Sequence, residues 1–410
     1  MTSATHPLES SAVEKPRSVL LADIGWSHTL RLANDFAKSG FTVYLLSSSR
    51  FFRAGFLPTG IILVPFSKSS PDPLFRILDN TVQRLMPDLV VPLSEDVLFD
   101  IWDHEPTWAS RVRPSIPLET RPLYRSKFRM ADHVAEHGVL VPQTWHLESL
   151  ALEEFIAATD RLGLPIVVKG EGGAGGSQVR IAKSISEARR GAIELRERTG
   201  NLPVLQECLT GASYLVGGVF DRGEAVRIVG AEETEMLPPL TGPAIELTSR
   251  DEPELIAAAE AVFRSLNFSG IANADFVRGA DGRFRFLEVN PRPWGSFGLA
   301  EELGIDLVGS WARLLRGESV TADLHYAPDR VWAKMPDYLY SKPMRRRNML
   351  ARLLRPTALR SWSWSKPRLM LNEMFRAAWT FLRGDLIETP TVDTTPLPPL
   401  LGVNNKQPLV

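Results

Sequence analysis

The chain has 410 residues, and at about 150 residues per domain this length predicts two or three domains. Its 47 Lys and Arg residues are balanced by 48 Asp and Glu, which excludes the basic excess of a protein that binds nucleic acid over much of its surface. The single cysteine excludes an internal disulfide framework and a cysteine-cluster metal site. Because one cysteine is typical of a reducing compartment, and because neither a signal peptide nor an apolar run of membrane-spanning length is present, we expect a cytoplasmic protein.

After a polar stretch at residues 1–16, short apolar runs alternate with helix-like stretches. Residues 18–22 and 41–46 have the composition of buried strands, and residues 27–39 between them are helix-like. Gly40 stands where a glycine commonly ends a helix. This order of strand, helix and strand predicts a parallel sheet. The turn after the first strand lacks the pattern GxGxxG, so the sequence does not favour a dinucleotide site.

A glycine-rich loop follows an apolar run that ends in Lys169. Five of the eight residues at 170–177 are glycine. The loop is not a P-loop, because it lacks GK[ST] and leads into a strand rather than a helix. Its backbone N–H groups can bind phosphate oxygens, and Lys169 stands where a cation would meet an α- or β-phosphate. From this loop alone, a flexible hairpin tip with a surface lysine is the favoured interpretation.

A further apolar strand spans residues 203–207 and ends in polar residues before Gly211. Such a strand can present backbone groups to an adenine edge. On its own it indicates only a strand of the core.

The most informative stretch is a hairpin with Asp281-Gly282 between two apolar runs, a strong signal for a two-residue turn. With that turn, Asp275 lies directly opposite Glu288, and Asn290 points to the same face. Two like charges at this distance repel each other unless a cation offsets them. Carboxylate and amide oxygens are ligands that Mg²⁺ prefers. An exposed acidic pair on an edge hairpin is the alternative, and a bulge in the hairpin would break the pairing.

In this order and spacing, these stretches resemble the ATP-grasp superfamily over about residues 17–318. The run LEVNPRPWGS at residues 287–296 is similar to the form L-E-x-N-P-R-x-W-G-S of carboxylate–amine ligase-like members. Ser126-Lys127, followed by a helix-like stretch and the turn at residues 137–142, is similar to the first nucleotide lysine and the G-V-x-x-P turn of that family.

The resemblance implies a nucleotide site. Lys127 and Lys169 would contact phosphates, and the side chain of Gln206 with the backbone of Glu207 and Leu209 would bind adenine. The residues of the loop would cover the triphosphate, and they are Gly172, Gly173, Gly175, Gly176 and Ser177. One position departs from the family pattern: Ser213 stands where many members carry an acidic residue that binds ribose.

The resemblance also implies a metal site and a catalytic cation. Asp275, Glu288 and Asn290 would hold Mg²⁺ or Mn²⁺. Arg292 would stabilise the transferring phosphate or the acyl phosphate, together with Lys169. An Arg292 that merely pairs with a neighbouring acid is the alternative.

The implied fold is α/β and α+β: a pre-ATP-grasp domain with a parallel sheet, then a two-lobed ATP-grasp domain, then a basic helical extension. The expected boundaries are a tail at 1–16, the pre-ATP-grasp domain at 17–116, the ATP-grasp domain at 117–318 with lobes 117–202 and 203–318, the extension at 319–385 and a Pro-rich tail at 386–410.

The implied activity is that of an ATP-dependent ligase. It would activate a carboxylate as an acyl phosphate and couple it to an amine, releasing ADP and phosphate. Two alternatives stay open: an ATP-grasp carboxylase that uses bicarbonate, and a non-catalytic nucleotide sensor on the same fold. We expect small-molecule carboxylate and amine substrates and no nucleic-acid partner, and a homodimer is an open alternative.

The segment 334–385 is strongly basic and carries interleaved tryptophans, and residues 334–383 hold 12 Lys and Arg against two acids. The favoured interpretation is a solvated basic face on a helix that packs against the catalytic core or a second subunit. Peripheral contact with an anionic membrane surface is the alternative.

Overall fold

The computed structural model describes residues 15–22, 29–48, 57, 59–67, 70, 72–171, 178–209, 211–236 and 242–335, with single positions at 338, 351, 354–356, 371 and 374. The glycine loop 172–177, the tail 386–410 and most of the segments 1–16 and 334–385 lie outside these residues. Within the described part, no helix combines the length and the apolar character that a membrane crossing requires.

The N-terminal domain is built on a parallel sheet, as the sequence predicts. Its strands are β1 (Ser18–Ala22), β2 (Thr42–Ser47), β3 (Ile61–Pro65) and β4 (Leu89–Pro92), in the order β3-β2-β1-β4. Its helices are α1 (Thr29–Lys38), α2 (Leu74–Leu85) and α3 (Glu95–His104). Helix α3 begins directly after β4, and the side chain of Ser94 caps it by accepting a hydrogen bond from the backbone N–H of Val97.

The next lobe packs helices on one face of a small antiparallel sheet. Its elements are α4 (Arg121–Tyr124), α5 (Lys127–Glu136), β5 (Thr144–His146), α6 (Leu152–Leu162), β6 (Ile166–Lys169), β7 (Val179–Ala182), α7 (Ile185–Thr199) and β8 (Val204–Glu207), with strand order β5-β8-β6-β7. Ile166, Val168 and Leu205 are buried in the core that α6 and α7 form with this sheet. Because side chains alternate along a strand, Lys169 and Gln206 lie on the opposite face.

The metal-side lobe is a six-stranded sheet in the order β13-β12-β9-β10-β11-β14. Its elements are β9 (Ser213–Asp221), β10 (Glu224–Met236), β11 (Ala244–Ser249), α8 (Pro253–Ser265), β12 (Gly270–Arg278), β13 (Phe284–Asn290), α9 (Gly298–Glu302), α10 (Leu307–Leu315) and β14 (Val331–Ala333). The sheet therefore continues past residue 318, where the sequence suggested that the lobe ends. Strands β10 and β11 form both ends of the stretch 232–246, and residues 237–241 between them lie outside the described residues.

The run LEVNPRPWGS is packed tightly onto the centre of this sheet. A Cβ atom added at Gly217 of β9 would lie 2.3 Å from the indole of Trp294, which is itself only 4% exposed. Gly217 pairs with Asn273 of β12. The absence of a side chain at Gly217 thus lets the loop after β13 lie directly against the sheet.

We expect Gly217→Ala to destabilise the fold by about 1–3 kcal/mol, because the new methyl group overpacks against Trp294. Gly191→Ala is the matched control: its Cβ would lie 3.5 Å from Arg180 in ordinary contact, inside helix α7. That change should be neutral or stabilising by about 0.5–1 kcal/mol, since alanine favours a helix interior over glycine. Urea unfolding measures both, and equal midpoints for the two variants would contradict the packing argument.

Candidate functional site

Asp275 and Glu288 are direct cross-strand partners, as predicted, although the predicted turn is wrong. The backbone N–H of Gly279 donates to the C=O of Arg283, so the loop has three residues, and Gly282 adopts a φ of 79°. A three-residue loop by itself would shift every later pair by one position. A bulge between Asp275 and Phe276 on β12 and their partners Glu288 and Phe286 on β13 corrects this shift, with Leu287 as the extra residue.

The carboxylate of Asp275 is held by two amides. Asn290 Nδ2 donates to Asp275 Oδ2 at 3.2 Å, and Asn273 Nδ2 donates to Asp275 Oδ1 at 2.6 Å. Burial first, and then the charges of Glu233 and Glu288, hold the pKa of Asp275 well above its ordinary value. Asp275 and Glu288 thus repel each other in the protein, as the sequence predicts.

Asn273 is a residue of the site that was not predicted from the sequence. It is 3% exposed, pairs with Asn290 across the hairpin, and its Oδ1 atom is buried without a hydrogen-bond partner among the described residues. The signal that could have revealed it is its position two residues before Asp275, which places both side chains on one face of β12.

Lys127 reaches this pair from a helix that packs against β13. It is the first residue of helix α5, whose cap is Ser126, and its Nζ atom forms an ion pair with Glu288 Oε2. Burial lowers the pKa of Lys127, but the neighbouring carboxylates of Glu288, Glu95 and Asp275 outweigh it, so that its pKa lies above the ordinary value. The side-chain hydroxyl of Ser126 also donates to Glu171 Oε1 at the start of the glycine loop.

Lys169 is the second cation of the site. Burial lowers its pKa to about 8, and the charges of Glu288 and Asp275 only partly oppose this effect. The charge of Lys169 interacts with those of Lys127 and Glu288, so the end of β6 lies close to the hairpin. The structure therefore brings the predicted phosphate lysines and the predicted metal ligands together in one cleft between the two lobes.

Gln206 and Glu207, two of the predicted adenine-binding residues, contact residues of other segments. Gln206 is 7% exposed, and its Nε2 donates to Thr144 Oγ1 of β5 at 3.0 Å. Glu207 Oε1 accepts from the backbone N–H of Gln143 at 2.9 Å and lies 3.6 Å from Arg285 Nε of β13. The side chain of Gln206 thus supports the strand, and Glu207 also joins the two lobes.

Of the other predicted nucleotide-binding residues, the structure describes Leu209 and Ser213 but not those of the glycine loop. Leu209 and Ser213 are partly exposed at the end of β8 and the start of β9. The loop residues at 172, 173, 175, 176 and 177 lie outside the described residues.

Arg292 contacts both the metal-side hairpin and the N-terminal domain. Its Nη2 atom donates to Asn290 Oδ1 at 3.2 Å and lies 3.4 Å from Glu95 Oε1 of helix α3. Glu95 was not predicted as a site residue, because an acid in the first turn of a capped helix is common and carries no functional signal of its own.

Glu233 of β10 is a third carboxyl group on this side of the sheet. Its neighbour two residues earlier, Ala231, lies in register with Leu215, which in turn pairs with Asp275, so Glu233 and Asp275 share a face. Burial and the charge of Glu288 raise the pKa of Glu233 to about 7. The sequence offered no signal for it, since four acids stand between positions 232 and 246.

The residues at the hairpin fit a hard divalent cation. Two facing carboxylates and the Asn290 amide offer oxygen ligands, and a cation would relieve the repulsion between Asp275 and Glu288. In the described part of the chain, no group of three His, Cys, Asp or Glu side chains is arranged to hold a metal. The donor set therefore consists of two acids and an amide.

Parts of the chain are similar to known proteins. A family model described as ATP-grasp in the biosynthetic pathway with Ter operon matches residues 203–333. Pyruvate carboxylase of Aspergillus niger is 28% identical over 196 residues, which cover 44% of this chain but only 16% of that protein.

Solved structures share the fold over about three quarters of the chain. Biotin carboxylase of Campylobacter jejuni, determined as a complex with β,γ-ATP, has a TM-score of 0.62 at 16% identity, covering 75% of this chain and 72% of that chain. The L-amino acid ligase of Bacillus licheniformis has a TM-score of 0.58 at 17% identity, covering 74% of this chain and 75% of that chain. The family match covers residues 203–333, and the solved structures show that the chain has the ATP-grasp fold.

Proposed function

We propose that the protein is an ATP-dependent ligase that activates a carboxylate as an acyl phosphate and couples it to an amine, releasing ADP and phosphate. One observation carries this proposal: two facing acids, Asp275 and Glu288, lie beside two half-buried lysines, Lys127 of α5 and Lys169 of β6. Such a site offers cations to the phosphates beside acids for a metal ion.

ATP would lie between the two sheets, with its triphosphate against Lys127 and Lys169. Adenine would contact the end of β8 at the backbone of Glu207, whose N–H already donates to the C=O of Gln143, and of Leu209, and the ribose would lie near Ser213. Asp275, Glu288 and Asn290 would hold Mg²⁺ or Mn²⁺, which when bound neutralises charge on the phosphates. The glycine loop would cover the triphosphate.

The chain's own residues would act by position and charge. In phosphoryl transfer, the substrate carboxylate attacks the γ-phosphorus as the bond to ADP breaks, and little covalent work falls to the protein. Lys169, Lys127 and Arg292 would orient the phosphate and offset the charge that develops on its oxygens. The amine then attacks the acyl carbon, and phosphate leaves with the electrons of the acyl–oxygen bond.

A carboxylase is the second candidate, and the similarity to pyruvate carboxylase and biotin carboxylase favours it. Bicarbonate would then be the activated acid. A nucleotide sensor on the same fold is the third. ADP release measured with bicarbonate, with a panel of organic acids, and with neither, each with and without amines, separates the three. Release that needs an organic acid and an amine supports the ligase, and nucleotide binding without any acid-dependent release supports the sensor.

We expect Glu288→Ala and Asn290→Ala each to lower acid-dependent ADP release at least about a hundredfold and to weaken its dependence on Mg²⁺ concentration, because each removes an oxygen ligand. Asp281→Asn is the control, since it removes a carboxylate from the exposed tip of the same hairpin, where Asp281 pairs with Arg285. If both site variants turn over as the wild type does, the metal site is assigned to the wrong residues.

We expect ATP affinity to fall as pH rises above about 8, because the pKa of Lys169 is lowered to about 8 by burial. Below that pH the free protein already carries the ammonium ion. Above it, binding must add a proton, so affinity should fall by about tenfold per pH unit until the pKa of the bound state is reached. Calorimetric titration in buffers of different ionisation enthalpy measures the affinity and the proton uptake.

Lys169→Arg serves as the control for this pH dependence, since a guanidinium group stays charged throughout. Its ATP affinity should change little between pH 7.5 and pH 9.5, whatever its absolute value. A wild-type affinity that is equally flat over that range, without proton uptake, would show that Lys169 does not meet the phosphates.

A further inference from the structure

We propose that Glu95, a residue of the N-terminal domain, is a positioning residue that holds the Arg292 guanidinium at the phosphoryl-transfer site. The role of Arg292 at the phosphate rests on the proposed function. The link between Glu95 and Arg292 rests on the contacts below and is tested separately.

The capped start of helix α3 determines the position of Glu95. Helix α3 begins at Glu95, and the cap at Ser94 fixes the direction in which its first turn leaves β4. A carboxylate in the first turn is also favoured by the partial positive charge of the helix N-terminus. The adjacent Asp96 shares this helix end but is exposed, so the same turn presents one acid to solvent and one to the site.

The two side chains are largely withdrawn from water. The side chain of Arg292 is 14% exposed and that of Glu95 is 32% exposed, with Arg292 Nη2 at 3.4 Å from Glu95 Oε1. Glu95 Oε1 is fully shielded from solvent, and no described residue donates a hydrogen bond to it. The charge of Arg292 is therefore the main compensation for burying this carboxylate, whose pKa is raised by burial and lowered by Arg292.

Arg292 is held from two sides. Its Nη2 atom donates to Asn290 Oδ1 on the hairpin and faces Glu95 on the other domain. Glu288 of the hairpin is already paired with Lys127. Without Glu95, Arg292 would lose its contact with the N-terminal domain and keep the one with Asn290, so its flexible side chain would be held less firmly beside the phosphates.

A buried ion pair is weak evidence for stability, because desolvation of both charges opposes their attraction. An interdomain contact that served only to hold the domains together would be equally well made by apolar side chains. The placement of this pair beside a metal-binding amide instead indicates that orientation of the guanidinium is what Glu95 contributes.

The test compares Glu95→Gln with Asp96→Asn, which removes the neighbouring acid of the same helix turn. We expect Glu95→Gln to lower kcat for acid-dependent ADP release by about 10–100-fold, as outer partners that orient a functional group typically do. Its Kd for MgATP should stay within about twofold of wild type, and Asp96→Asn should change neither value. An unchanged kcat in Glu95→Gln overturns the proposal.

Combination with Arg292→Gln distinguishes positioning from a general structural effect. In the Arg292→Gln background, adding Glu95→Gln should cause no further loss of kcat, because the group that it orients is gone. Additive losses, accompanied by equal drops in Tm, would mean that Glu95 only stabilises the domain contact.

A readout without turnover keeps this inference separate from the proposed reaction. Binding of inorganic phosphate to the protein loaded with MgADP can be measured for the wild type, for Glu95→Gln, for Arg292→Gln and for the double variant. We expect both single variants to weaken phosphate binding and the double variant to weaken it no further. If the wild type releases no ADP with any acid while this coupling holds, the ligase proposal fails and the positioning role stands. If the coupling is absent, the positioning role fails whatever the activity.

Discussion

The repulsion between Asp275 and Glu288 is the constraint on which the rest of the site depends. The two carboxylates face each other across a hairpin because the strands pair in that register, and burial together with the charges of Glu233 and Glu288 raises the pKa of Asp275. Every other functional group of the cleft responds to that charge. Amides of Asn273 and Asn290 donate to Asp275, and Lys127 pairs with Glu288. A site that concentrates negative charge in this way is stable only with cations at its border, and these come from other parts of the chain.

The compensating charges belong to groups that nucleotide binding would require elsewhere. Lys127 is paired with Glu288 in the structure, yet a metal ion at Glu288 and a phosphate at Lys127 would replace that ion pair by two new ones. The exchange costs little, because each charge leaves one opposite partner for another without passing through water. Lys169 is different, since its lowered pKa shows that the protein does not fully stabilise its charge. A triphosphate would supply what is missing there, so binding and protonation are linked at Lys169 and not at Lys127.

Local patterns predicted the strands and helices that carry these groups, together with the pairing of Asp275 and Glu288. That success depended on two departures from the expected geometry that cancel: a loop of three residues instead of two, and a bulge at Leu287. The sequence of β13 alone does not reveal the bulge at Leu287, because the bulge is recognised only from the pairing of β13 with β12. Contacts between distant segments could not be predicted at all. Thr144 engages Gln206 and Glu95 reaches Arg292 only because the fold brings these strands and helices together.

The proposed ligase and the alternative carboxylase differ in the acid that is activated and not in the nucleotide cleft. Both reactions need the same acids, lysines and arginine for phosphoryl transfer, so the residues around Glu288 cannot distinguish them. Glu233 shares the sheet face of Asp275, and no described side chain donates a hydrogen bond to its carboxyl group. An acid with a pKa near 7 in that position suits an amine, which arrives as a cation and must lose a proton before it attacks. An organic carboxylate and bicarbonate would each bring a negative charge towards this face, so a proton on Glu233 would lessen the repulsion of either acid.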